Sequence, residues 1–167
     1  MGEQGEIILQ ITEKLTEISG SAPCKKKVQK MIYLIEEKEI DIGFPYKIYI
    51  YGPYSADLDY KICELKAEGC LDIQQSNRGH MLKCITQPGS SLISDRMNEI
   101  ISIFGKKNAR TLELIATTLY AERYVEHKNR ETIIKAVKKI KGEKFPEEKI
   151  TDAICLLEES NYFSLAY

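Results

Sequence analysis

The ten residues "YKIYIYGPYS", Tyr46–Ser55, decide how this chain is read. Tyr46, Ile48 and Ile50 alternate with Lys47, Tyr49 and Tyr51. Aromatic and β-branched residues at period two predict a short strand, with Tyr46, Ile48 and Ile50 on its core face. Gly52-Pro53 predicts the end of that strand, because proline cannot continue a ladder. Ser55 predicts a helix N-cap, with Asp57 and Asp59 in the first turn, where the helix dipole favours anions. Leu58, Ile62 and Leu65 mark the buried face of that helix, and Gly69 closes it.

Working outward, Ile7, Ile8, Ile11, Leu15 and Ile18 recur at helical spacing before a stop at Gly20. Ser21 predicts the cap of a second helix, with Pro23 in its first turn and Cys24, Val28, Met31, Ile32 and Ile35 on one face. After the opening stretch, "CLDIQQ", "SNRG" and "HMLKCIT" predict a β-hairpin. Residues 1–90 therefore read helix, helix, strand, helix, hairpin, which is the order of a winged-helix module. Residues 91–167 predict a helical subdomain sharing its core with the first part. Its helices run from about Leu92 to Phe104, from a Thr111 cap, from Asn129 to Gly142, and from Pro146 onward. The fold class is mainly α (α+β).

The 167 residues are 43% hydrophobic and 29% charged, enough for one medium domain with a real core. Net charge is −1, whereas dedicated nucleic-acid binders are usually basic. No apolar run reaches the ~18 residues of a membrane span, and the acidic start "MGEQGE" predicts no signal peptide. Five scattered cysteines without a CxxC predict free thiols in a cytoplasmic protein.

Catalytic chemistry has no visible kit. GxGxxG, GxxxxGK[ST] and GxSxG are absent, so dinucleotide, P-loop and nucleophile-elbow sites lack their motifs. His80 and His127 stand far apart, and adjacent acids such as Glu36-Glu37 diverge by about 100° on a helix. No catalytic residue, metal ligand or cofactor is expected, and the chain reads as a non-enzyme.

The charges sit in unusual places. The third helix, which would enter the major groove of DNA, carries Asp57, Asp59, Glu64 and Glu68 against Lys61 and Lys66. That surface repels phosphates. The second helix begins with Lys25, Lys26, Lys27 and Lys30 and ends in Glu36, Glu37 and Glu39. Both ends oppose the helix dipole, at about 0.3–1 kcal/mol per charge. Either this is a solvated lysine face, or the helix start is an anion site.

Two motifs carry a resemblance. Lys27, Gln29, Lys30 and Tyr33 form K-x-Q-K-x-x-Y, and Tyr49, Tyr51, Gly52, Pro53, Tyr54 and Ser55 form Y-x-Y-G-P-Y-S. Together they resemble the Panacea domain family of SocA-like antitoxins and the related YwgA-like proteins. Met31 replaces the usual leucine. The resemblance implies a protein-binding adaptor that neutralises or presents a partner such as a toxin. Those ten motif residues become the candidate partner-binding set. The alternative is a winged-helix transcriptional regulator, acting as a homodimer, that holds DNA through Lys25, Lys26, Lys30, Arg78 and Lys83.

Overall fold

The structure is a computed structural model and describes residues 1–165. It is mainly helical with two small antiparallel hairpins. Helix α1 (Glu3–Ser19) buries Ile7, Ile8, Ile11 and Leu15 and ends at Gly20, whose φ of 74° lies in the left-handed region. Helix α2 (Lys25–Glu36) starts later than its sequence predicts, and Ser21 does not cap it. The segment before it is extended instead: Leu82 N–H donates to Pro23 O at 2.8 Å, and Cys24 bridges Met81. Pairing with a strand holds Pro23 and Cys24 outside the helix.

Strand β1 is Lys47–Tyr49, and Gly52–Tyr54 is not a stop but a returning strand, β2. Ile48 faces Pro53 across a hairpin whose two loop residues are Ile50 and Tyr51. Proline is tolerated because only this one partner strand pairs with β2. The turn also overturns one side-chain assignment. Ile50 is 82% exposed at the tip, not on the core face.

Ser55 caps α3 (Ala56–Ala67), accepting from Leu58 N–H at 3.2 Å. Leu58, Ile62 and Leu65 point inward, each burial contributing about 1.5–3 kcal/mol. Strands β3 (Leu71–Ser76) and β4 (Gly79–Cys84) make the second hairpin, in register from Leu71–Cys84 to Ser76–Gly79.

Helix α4 (Asp95–Phe104) is capped by Ser94, so it begins after Leu92. Helix α5 (Ala109–Tyr124) is capped by Asn108 rather than Thr111, which lies inside it. In α6 (Arg130–Lys141), Asn129 and Thr132 cap each other reciprocally, and α7 (Glu147–Glu159) opens at Pro146. Every residue of α5 from Leu112 to Leu119 is buried, so this helix forms the axis of the core. Buried residues from both parts of the chain belong to one hydrophobic cluster. Among the described residues, no helix is long and apolar enough to cross a membrane.

Candidate functional site

The two motifs meet, and they meet as a clasp. Gln29 on α2 grips the backbone of Ser55: its amide Nε2 donates to Ser55 O at 2.8 Å, and Ser55 N–H donates to Oε1 at 3.0 Å. One turn of chain thus receives both backbone bonds from one side chain, as a neighbouring strand would supply them. Lys30 Nζ donates to Pro53 O at 2.6 Å. Tyr46 donates to Gln29 O at 3.2 Å, and its ring lies 5.1 Å from that of Tyr33. Lys27 Nζ donates to Ser19 Oγ. Lys27, Gln29, Lys30, Tyr33, Gly52, Pro53 and Ser55 are all buried. Gln29, Lys30, Gly52, Pro53 and Ser55 hold the hairpin and α3 onto α2, whereas Lys27 ties α2 to the end of α1.

Gly52 has two reasons to be glycine. Its φ is 88°, and a Cβ there would sit 2.6 Å from Thr117 Oγ1 on α5. The hairpin backbone therefore touches α5 directly, which places Tyr51 against a second cluster.

That cluster surrounds Glu113, a fully buried carboxylate on α5. Lys26 from α2, Lys141 from α6 and Lys144 from the following loop all pair with it. Lys141 also donates to Ile50 O at 2.5 Å, tying down the hairpin tip. The Tyr51 ring lies 4.5 Å from Lys26 Nζ and 5.1 Å from Lys144 Nζ, within cation–π range. Burial pushes the Glu113 carboxyl up, but hydrogen bonds from Lys141, Lys144 and Lys26 outweigh it and bring the pKa down to about 2. Lys30 is driven the other way from ordinary lysine. Burial first, then the ammoniums of Lys26, Lys141 and Lys144 against the pull of Glu113, lower it to about 7.

Between α2 and the hairpin tip lies an open cleft of about 460 Å³. Lys25, Lys26 and Lys30 line its α2 side; Tyr49, Tyr51 and Tyr54 line the other. Tyr49 and Tyr51 are more than half exposed. Tyr54 is half-buried, donates to Asp59 Oδ2 at 2.9 Å, and stacks edge-on against Tyr49 at 5.2 Å. Lys25 pairs with the same Asp59 at 2.5 Å. His80, from β4, stands at the rim.

The lysines of the DNA alternative are thus largely engaged within the chain: Lys25 by Asp59, Lys26 by Glu113, and Lys30 by Pro53 O. Arg78 and Lys83 are exposed on the second hairpin. Glu36 and Glu37, two of the glutamates that oppose the α2 dipole, find partners as well. Phe44 N–H donates to Glu36 at 2.9 Å, and Arg123 pairs with Glu37 at 3.0 Å. Among the described residues no cluster of His, Cys, Asp and Glu could hold a metal ion, and the five cysteines are free.

Sequence reading missed Glu113, Lys141 and Lys144. A signal for the first existed. Glu113 sits between Leu112 and Leu114 as the one charge in "TLELIATTLY", a stretch where a buried acid needs a cation. No such signal marks Lys141 or Lys144 among their neighbouring lysines.

Comparison with curated proteins shows a similarity along the chain. An uncharacterized protein named YwgA, from Bacillus subtilis (strain 168), is 27% identical over 155 residues, covering 87% of this chain and 92% of that protein. The similarity to YwgA extends over most of the chain. No protein-family model matches it.

Proposed function

We propose that the chain is a non-enzymatic adaptor that grips a partner protein, in the manner of a SocA-like antitoxin neutralising or presenting a toxin. The observation that supports this reading is the tip of the first hairpin. Tyr49, Ile50 and Tyr51 are 54%, 82% and 57% exposed and adjacent. Their backbone is nevertheless held by the Lys141 bond to Ile50 O and by the clasp from α2. A rigid, exposed aromatic and aliphatic tip offers a partner large contact area at low entropy cost. Interface energy concentrates on a few such anchors. The tip, rather than the buried motif residues, is the contact surface. Gln29, Lys30, Tyr33 and Ser55 act by holding the tip in place.

The test is co-expression with the product of the adjoining reading frame, followed by co-purification and a growth assay for neutralised toxicity. Wild type is expected to co-purify and restore growth. The double variant Tyr49→Ala, Ile50→Ala is expected to lose both while its Tm shifts by no more than a few degrees. A variant that still binds the partner fully would remove the tip from the interface.

A further inference from the structure

Five lysine side chains gather where the hairpin meets α2, α5 and α6, and only two carboxylates answer them. Lys26, Lys141 and Lys144 share Glu113, and Lys25 has Asp59. Lys30 has neither. Its side chain is 2% exposed. Its one acceptor among the described residues is Pro53 O. Glu113 is itself outnumbered three to one, and the Lys141 side chain is only 3% exposed. Buried positive charge in excess of its counter-charge is costly. This excess lies beside a cleft of about 460 Å³ whose other wall is tyrosine. The size falls within the range of small-ligand sites, and so does the design: apolar walls with a few convergent polar groups.

We propose that this cleft binds a small organic oxyanion that carries a flat ring, its charge on Lys30 and Lys26 and its ring against Tyr49 and Tyr51. The anion supplies the counter-charge that the protein lacks at this point, and lysine accepts phosphate or carboxylate as a point charge. An exposed tyrosine face takes a flat ring by offset or edge-on packing. The site does not depend on the partner reading, since a free ligand can occupy it in the isolated chain. It also predicts a pH dependence. Lys30 loses its proton above about pH 7, so an anion that needs the ammonium binds less tightly as pH rises. The groups facing Lys30 are Lys26 from α2, Glu113 from α5, and Lys141 and Lys144 from the α6 end. His80 and Asp59 stand across the cleft.

Titration calorimetry on the isolated chain tests this with five probes. Adenosine monophosphate and 4-hydroxyphenylacetate carry both ring and charge; ribose 5-phosphate and acetate lack the ring; adenosine lacks the charge. At least one ring-bearing anion is expected to bind about tenfold or more tighter than its ringless counterpart and than adenosine. Which of the two binds distinguishes phosphate from carboxylate. Lys26→Gln and Tyr49→Ala should each weaken it severalfold. Tyr49 is exposed, so its variant keeps the test alive if Lys26→Gln fails to fold. If the carboxylate binds, its affinity should fall between pH 6.5 and 8.5, and His80→Gln should leave that slope in place. Equal binding of ringless anions, binding indifferent to both substitutions, or no binding of either ring-bearing anion would overturn the proposal.

Discussion

At Gly52 the sequence motif becomes a packing constraint. The residue combines a left-handed backbone with a Cβ position that Thr117 already occupies. Gly20 has a similar φ, 74°, but open space around it. Replacing each by alanine separates the two effects. Gly20→Ala should cost about 1–2 kcal/mol from backbone strain alone. Gly52→Ala should cost more by about 1–3 kcal/mol, because the overpacked contact must also be relieved. Urea midpoints measure both. Equal losses would mean that Thr117 moves aside freely. Gln29 is the second residue whose identity is now explained. Glutamine alone among common side chains offers a donor and an acceptor at that reach, so it can satisfy both backbone groups of Ser55. K-x-Q-K-x-x-Y and Y-x-Y-G-P-Y-S belong together because one holds the other.

On the scale of elements, α2 carries its charges against its own dipole and recovers their cost from neighbours. Its lysines meet Glu113 and Asp59, and its glutamates meet Phe44 N–H and Arg123. Glu113 links α2, α5 and the end of α6, and its depressed pKa makes that link sensitive to acid. Its folded pKa of about 2 lies below the ~4.3 of an unfolded glutamate. Its contribution is therefore present above about pH 4.3 and lost as pH falls toward 2. Glu36, pushed up by burial, works in the opposite direction. Comparison with Glu113→Gln isolates the effect. That variant should lose about 3 kcal/mol or more at pH 7, because three ammoniums lose their counter-charge. It should also show a shallower loss of stability between pH 4.3 and 2. An unchanged acid limb would mean that the lysine cluster does not depend on Glu113.

Lys30 gives the complementary alkaline signature. Its folded pKa of about 7 lies below the ~10.4 of an unfolded lysine. The unfolded chain then holds more protons above pH 7, so stability rises with pH there. Lys27 shifts in the same direction, through its own burial. Cys84, pushed up to about 12 by burial, opposes the rise once unfolded thiols ionise near pH 8.5. The window is therefore pH 7–8.5. Wild type should gain stability across it in urea titrations, and Lys30→Met should gain less. An equal gain in the variant would assign the effect elsewhere.

Across the whole molecule, α5 is the element that makes one body of the chain. It is buried from Leu112 to Leu119, with the hairpin at Gly52 on one side and the rest of the core around it. The end of the chain reinforces this. Tyr162 donates to Leu34 O at 2.6 Å, reaching a carbonyl in the last turns of α2, and packs edge-on against Phe104. Residues 1–90 alone would leave the apolar face of α2 and the Gly52 contact uncovered. Such a fragment should be unfolded by circular dichroism, and the full chain should unfold in a single transition. A folded fragment would show that the first part carries a sufficient core of its own.

Much of this was legible in the residues. Ile7 to Leu15, Leu58 to Leu65 and Ile133 to Val137 announce their helices by period, and Ser55 and Asn129 announce their caps, because such signals act within a few residues. The first hairpin was only half legible. Its alternation marked β1, but the return at Gly52-Pro53 depends on a contact with α5, more than fifty residues on. Pro23 and Cys24 misread for the same reason: their partner is β4. The candidate site divides likewise. Its motif residues stand out in sequence, yet their roles as clasp, tip or cleft wall depend on burial.

The sequence by itself determined the helical elements and the pairing of two motifs, since each is written in local pattern. Only the tertiary structure decided that Gln29 and Lys30 face inward, that Tyr49 to Tyr51 form an exposed tip, and that Glu113 gathers three lysines. The physical reason is range. Propensity and capping act over a few bonds, whereas burial and charge balance are set by which distant segments meet in the core.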